Sequence, residues 1–193
     1  MTLARSAAPE QMADPTARVH AHSFAAVYAE CFPFVWRSVR RLGVYESAVD
    51  DVVQEIFVVV HRRLSDFEGR SSIRTWLFGI VLRVVREHRR SVRRKSPLSA
   101  GDADLVPTDA EHAPDERAAK AEAARTLHAI LDELDDEKRE VFVLAELEQM
   151  TAPEIVEALG VPLNTVYSRL RVAREQFNAA VARHRVRDEW RAT

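Results

Sequence analysis

Cysteine is nearly missing from this chain: Cys31 stands alone among 193 residues, which excludes an intramolecular disulfide and favours a reducing compartment. Glycine is scarce as well, with five residues against eight prolines, and alternating β-branched runs are few. Together these absences predict an all-α protein. No apolar run is long enough to cross a bilayer, and the Ala-, Pro- and Thr-rich stretch 1–22 holds no apolar stretch of its own, so neither membrane insertion nor a secretory leader is expected. The seven histidines lack zinc-like spacing, and His20 and His22 fall in that N-terminal stretch, so no metal site is expected. There is no phosphate-cradling Walker loop, no G-x-S-x-G turn and no carboxylate pair on a pocket scaffold. The expectation is a cytoplasmic protein without cofactor that is not an enzyme.

What the chain does have is charge, unevenly placed. The formal net charge is −2, yet between Arg74 and Lys95 the cations Arg83, Arg86, Arg89, Arg90, Arg93 and Arg94 face the single acid Glu87. The stretch from Asp102 to Glu140 is dominated by acids. A local basic segment of this kind is the footprint of a nucleic-acid surface.

The C-terminal third carries the sharpest local signals. Thr151, Ala152, Pro153 and Glu154 have the form of a capping box, with Thr151 as N-cap and Glu154 reaching back to its amide. Gly160 is suited to close that helix, and Val161 and Pro162 start the next. On the second helix Val166, Leu170, Ala173 and Phe177 form a buried stripe, opposite Ile155 and Leu159 on the first. The other face then carries Asn164, Ser168 and Arg171, flanked by Thr165, Tyr167, Arg169 and Arg174, donors suited to phosphates and base edges in a major groove. An ordinary helical hairpin with a solvated basic face is the plain alternative.

Upstream, Phe24, Val27, Tyr28, Cys31 and Val35 give a helical stripe that Trp36, Val39 and Leu42 extend to Gly43. The pattern predicts a second helix over about 47–64 that buries Val49, Val52, Val53, Ile56, Val59 and Val60 and leaves Asp50, Asp51, Gln54, Glu55 and Val58 outside. A loop over 65–71 follows. Ser71 or Ser72 then caps a third helix with Trp76, Leu77, Ile80, Val81 and Val84 on its apolar side and arginines on the other. Prolines 97, 107 and 114 with Gly101 mark an acidic connector. The chain thus divides into a disordered tail over 1–22, a helical domain over 23–95, a flexible acidic linker over 96–120, a helix-turn-helix domain over 121–185 and a tail over 186–193. A linker of this length spans on the order of 65 Å when extended.

Three runs in fixed order, Ser47 to Phe57, Arg63 to Gly69 and Arg74 to Leu77, resemble region 2 of bacterial sigma factors of the extracytoplasmic-function (ECF) group, in the sigma-70 family. Leu131 to Leu134, Arg139 to Leu144, Glu154 with Ile155, Leu159 to Pro162, Thr165 with Val166 and Ser168 to Leu170 resemble that group's region 4. The resemblance implies a subunit that binds core RNA polymerase and directs transcription initiation through −10 and −35 promoter DNA. It implies that Asp50, Asp51, Gln54, Glu55 and Phe57 meet the clamp of the polymerase. It assigns Asp66, Phe67, Arg70, Ser71, Arg74, Trp76, Arg83, Arg86 and Arg90 to the −10 element, where an unstacked base is captured and the opened strand is held. Asn164, Thr165, Tyr167, Ser168, Arg169, Arg171 and Arg174 fall to the −35 element. Phe67 and Trp76 each keep a second reading, as a loop anchor packed inward and as a core residue. An anti-sigma factor is a further candidate partner. The chain departs from the group's pattern at Arg83, Glu87, Tyr167 and Val172, which bears on promoter sequence and not on fold. Two other readings remain at this point: a stand-alone helix-turn-helix regulator, and an anti-sigma or adaptor protein that never touches DNA.

Overall fold

Seven α-helices carry the chain in a computed structural model that describes residues 23–95 and 114–191. Among the described residues there is no β-strand. Helices α1 (Phe24–Arg41), α2 (Glu46–Arg63) and α3 (Ile73–Lys95) form a first unit. Helices α4 (Pro114–Asp132), α5 (Asp136–Phe142), α6 (Ala152–Leu159) and α7 (Leu163–Arg191) form a second. The residues 1–22, 96–113 and the last two fall outside the described chain, and with them the expected N-terminal tail and most of the expected linker.

Local chemistry explains the helix ends. Ser23 caps α1 by accepting the Ala26 amide at 3.2 Å, and Gly43 turns the chain at φ +85°. The Ser72 hydroxyl accepts from the Thr75 amide at 3.0 Å at the start of α3. At α6 the Glu154 carboxylate accepts from the Thr151 amide at 2.8 Å, and Gly160 closes the helix in the left-handed conformation. Two boundaries differ from the sequence expectation. Helix α4 opens on Pro114, inside the stretch read as linker, because proline is harmless in a first turn whose N–H groups have no intrahelical partner. Helix α7 runs for 29 residues to Arg191, through most of the stretch read as a tail.

The apolar stripes meet as their spacing demands. Val49, Val52, Val53, Ile56 and Val60 of α2 are buried against α1 and α3, where Val35, Val39, Leu77, Phe78 and Val81 close the first core. Val59 is only half-buried. In the second unit Ile155, Leu159, Val166, Leu170 and Ala173 are buried, and Phe177 stacks on Phe142 with ring centres 4.4 Å apart. Between α5 and α6 the helix widens into one π turn, Val143–Leu147, in which the Glu148 amide donates to the Val143 carbonyl at 2.9 Å.

The two units are packed against each other, α6 on α3 and α4 against α1. The seam is polar. Arg139 is buried, and its guanidinium sits where a side chain on Gly43 would be, 1.8 Å from an added Cβ. His128 of α4 lies in the same region among Arg40, Arg41, Arg139 and Asp132, with Nδ1 unpartnered. Burial, then the Arg40 charge, pushes its pKa down to about 4.

Two measurements test this seam. A histidine whose folded pKa is depressed stabilises the fold fully above its unfolded value of about 6.5 and loses that contribution as pH falls toward 4. His128→Gln should therefore flatten the acid side of the stability profile between those values, read as denaturant midpoint against pH; a parallel profile would place the titration elsewhere. The second test compares glycines. Gly43→Ala and Gly160→Ala each put a side chain at positive φ, at a cost of about 1–2 kcal/mol. Gly43→Ala should lose more, because only there does the new Cβ meet Arg139, whereas nothing lies within 4 Å at Gly160. Equal urea midpoints would mean that Arg139 swings aside without cost.

Candidate nucleic-acid interface

The helix-turn-helix presents the face its spacing requires. With Val166, Leu170 and Ala173 facing inward, Asn164, Tyr167, Ser168, Arg171 and Arg174 are exposed, Tyr167 at 55%. Thr165 and Arg169 are half-buried at the edges of that face. Its cations have partners within the second unit. Arg171 meets Glu175 at 2.8 Å one turn along, Arg174 meets Glu146 at 2.8 Å, and Arg169 meets Glu137 at 2.6 Å. Exposed pairs of this sort are worth about 0–1 kcal/mol, so Arg171 and Arg174 exchange a carboxylate for a phosphate at little cost. The Ser168 hydroxyl donates to the Thr165 carbonyl at 3.1 Å and keeps its lone pairs toward solvent.

In the first unit, α2 ends in a short 3-10 turn, Leu64–Asp66, that swings Phe67 beside Trp76 with ring centres 5.3 Å apart. Both rings are half-buried, and Trp76 packs against the core. Asp66 and Arg70 are exposed, Arg70 paired with Glu68 at 2.8 Å, and Ser71 is half-buried. Gly69 takes φ +68° with open space around it. On α3, Arg83 and Arg90 point to solvent, Arg90 paired with Glu87 at 2.6 Å.

Two of the expected strand-holding arginines are placed differently. Arg74 lies over the Phe34 ring at 4.5 Å and meets Glu148 of the second unit at 2.6 Å. Arg86 makes two bonds to Glu140, at 2.7 and 2.5 Å, which raise its pKa above the usual arginine value. Both side chains stay about half exposed while paired with carboxylates of the second unit. Arg139 and Glu140 fall in the Arg139 to Leu144 run that carries the resemblance, with no role at the seam foreseen for them, and Glu148 lies beyond the acidic stretch that complements the basic one.

The residues expected at the polymerase clamp also divide. Asp51, Gln54 and Glu55 are exposed. Asp50 accepts from the Trp36 indole at 3.2 Å, which ties it to α1. Phe57 is only 4% exposed, so it cannot present itself as a surface contact. It floors a groove of about 890 Å³ whose walls include Phe24, Tyr28, Phe32 and His61, with Val58 on the rim. The i, i+4, i+8 spacing of Phe24, Tyr28 and Phe32 is what brings those rings to one side of α1.

Among the described residues no cluster of His, Cys, Asp or Glu could hold a metal ion, and no helix is long and apolar enough to cross a membrane. Residues 27–95 match the family model of sigma-70 region 2, and residues 124–177 that of sigma-70 region 4. The chain is 35% identical over 150 residues to the RNA polymerase sigma factor CnrH of Cupriavidus metallidurans, covering 74% of this chain and 78% of that one. It is 32% identical over 145 residues to the ECF RNA polymerase sigma factor SigC of Mycobacterium tuberculosis, covering 75% and 76%. The structure of CnrH in complex with the cytosolic domain of CnrY superposes with a TM-score of 0.63 at 29% identity, over 87% of this chain and 95% of that one. The sigma factor RpoE from Bartonella quintana, solved with the anti-sigma factor NepR, shares the fold at a TM-score of 0.68 and 17% identity, over 82% and 96%. With both regions matched in order and relatives above 30% identity across most of their length, the chain belongs to the sigma-70 family of RNA polymerase sigma factors, in its extracytoplasmic-function group.

Proposed function

We propose that this sigma factor works in the cytoplasm as a non-catalytic subunit that lends RNA polymerase its promoter choice, with the following division of labour. Asp51, Gln54 and Glu55 on the open edge of α2 meet the polymerase clamp, and Phe57 supports that edge from below. The loop Asp66 to Ser71 receives an unstacked base of the −10 element against the Phe67 and Trp76 rings. Arg83 and Arg90, joined by Arg74 and Arg86 once these are released, hold the opened strand. Helix α7 enters the major groove at the −35 element with Tyr167, Ser168 and Arg171 toward base edges. Asn164, Thr165, Arg169 and Arg174 lie at the phosphates.

The observation that carries this reading is the presence, in one chain, of an exposed recognition face on α7 and an exposed acidic edge on α2. A stand-alone helix-turn-helix regulator has use for the first and none for the second. An adaptor that avoids DNA has no use for either α7 or the arginines of α3. CnrH was solved with the cytosolic domain of CnrY, and a protein partner of the anti-sigma kind is proposed for this chain as well.

Run-off transcription with purified core polymerase on a genomic promoter library tests the whole. The free protein should bind duplex promoter DNA weakly and start transcription only with core enzyme, since two small DNA-facing surfaces gain avidity only when something holds their separation. Tight, sequence-specific binding by the free chain would favour the simple regulator. In the same assay Asp51→Lys with Glu55→Lys should keep the circular dichroism spectrum, because both side chains lie off the apolar stripe, and should weaken association with core. Normal co-purification of that variant with polymerase would sink the clamp assignment.

Within α7, reading and positioning are separable. Arg171→Ala should cost about 1–3 kcal/mol on the best −35 sequence and relax preference at one position, whereas Arg174→Ala should weaken all sequences alike. Indistinguishable sequence profiles for the two variants would mean that the helix sits in the groove in a different rotation.

A further inference from the structure

Two side chains with large apolar bodies stand exposed at the start of the recognition helix. Leu163, the first residue of α7, is 42% exposed, and Tyr167, one turn on, is 55% exposed. Their i, i+4 spacing sets them side by side. Val161, just before the helix, packs against the core, and Val166 between the two is buried, so the local core is closed without them. The Pro162 carbonyl accepts from the Thr165 amide at 2.9 Å and from the Val166 amide at 3.1 Å, which fixes this first turn and gives the pair a set direction. At about 100° per residue, Arg174 falls on the same flank of the helix as the pair, to one side of the face that carries Asn164, Ser168 and Arg171.

We propose that Leu163 and Tyr167 read thymine in the −35 element through its 5-methyl group. The inference rests on the placement of α7 in the major groove and adds Leu163 to the reading residues there. A thymine methyl is the apolar group that a base edge offers in that groove. It lies toward the backbone of its own strand, at the groove wall, and the flank of an inserted helix meets that wall. Arg174 then holds a phosphate of one strand while Leu163 and Tyr167 cover methyl groups of the same strand. Covering a methyl takes apolar surface of both partners out of water and is worth about fourfold in affinity. The hydrogen-bonding groups of Ser168 and Arg171 read polar base edges and are blind to a methyl.

The test uses the full chain bound to core polymerase, with a promoter recovered by run-off selection. Each thymine of its −35 element is replaced in turn by uracil, which keeps the base pairing and removes only the methyl group. Loss of the methyl at one or two positions should weaken holoenzyme binding about fourfold, read by competition against the unmodified promoter. The variant Leu163→Ala should bind the unmodified promoter less tightly and lose the uracil penalty at one of those positions, and Tyr167→Ala should do so at the same or the next one. Both side chains are exposed, and circular dichroism checks that the helices are retained. Uracil tolerated at every −35 position by the wild type would overturn the proposal, as would a −35 element without thymine. A uracil penalty undiminished in both variants would overturn it too, because another residue then covers the methyl. Weakened association of Leu163→Ala with core polymerase in the absence of DNA would give the patch to a protein instead. Arg171→Ala separates this inference from the reading beneath it. If that variant changes base preference while uracil is tolerated, α7 lies in the groove and only the methyl contact falls; if neither change matters, the placement of α7 falls as well.

Discussion

The arrangement of this molecule depends on carboxylates taken out of water by arginines on the other side of a seam. Glu148 and Glu140 are almost wholly buried, and each faces guanidinium groups of the first unit at hydrogen-bond distance. Carboxylates so placed require their partners, because an unpaired buried charge costs several kcal/mol. Of these partners Arg74 is held in turn by the Phe34 ring, and nearby Arg89, paired with Asp136, is held by the Leu42 carbonyl. Apolar burial runs through both units as one cluster, and the charged layer adds direction to the way they meet.

Helix α7 links this seam to the DNA-facing surface. Its first turns carry the recognition face, and its later turns lie against α4 and α5, with Ala180 buried and Arg183 reaching Glu133. One continuous helix therefore joins the groove-reading residues rigidly to the body of the second unit. Arg169 and Arg174 add short ties to α5 and to the π turn through Glu137 and Glu146. The same turn releases Glu148 toward α3, so that recognition helix and seam are built from adjoining pieces of chain.

How much of this was legible in the sequence follows from how local each signal is. The capping box at Thr151 and Glu154, the left-handed Gly160 and the valine stripe of α2 are decided within a turn or two, and the structure has them where spacing put them. The exposed face of α7 follows from its buried stripe by subtraction. Pro114 was read as a breaker because proline carries opposite meanings at the start and in the middle of a helix, and only the helix beyond it tells which applies. Phe57 comes to the clamp only through the family resemblance, and the α1 rings packed on it lie far away in sequence, where no local period reports them. Arg74 and Arg86 went the same way. Glu148 is separated from Arg41 by 107 residues, a pairing that no periodicity reports. Uneven charge is a trace of the Arg86–Glu140 and Arg89–Asp136 pairs alone, in which a basic and an acidic stretch of one chain suit each other as well as they suit outside partners.

The packed arrangement of the two units leaves several surfaces available. Asp51, Gln54 and Glu55 stay exposed, and the aromatic groove beside them stays open. Tyr167, Ser168 and Arg171 also remain at the surface. Arg74 and Arg86 pair with carboxylates of the second unit and still keep 49% and 43% of their side chains exposed. A partner meeting the α2 edge therefore needs no separation of the units. Parting the units would expose apolar surface as well as charge, because their buried residues form one cluster. The arginine–carboxylate pairs thus add direction to a contact that apolar burial holds together.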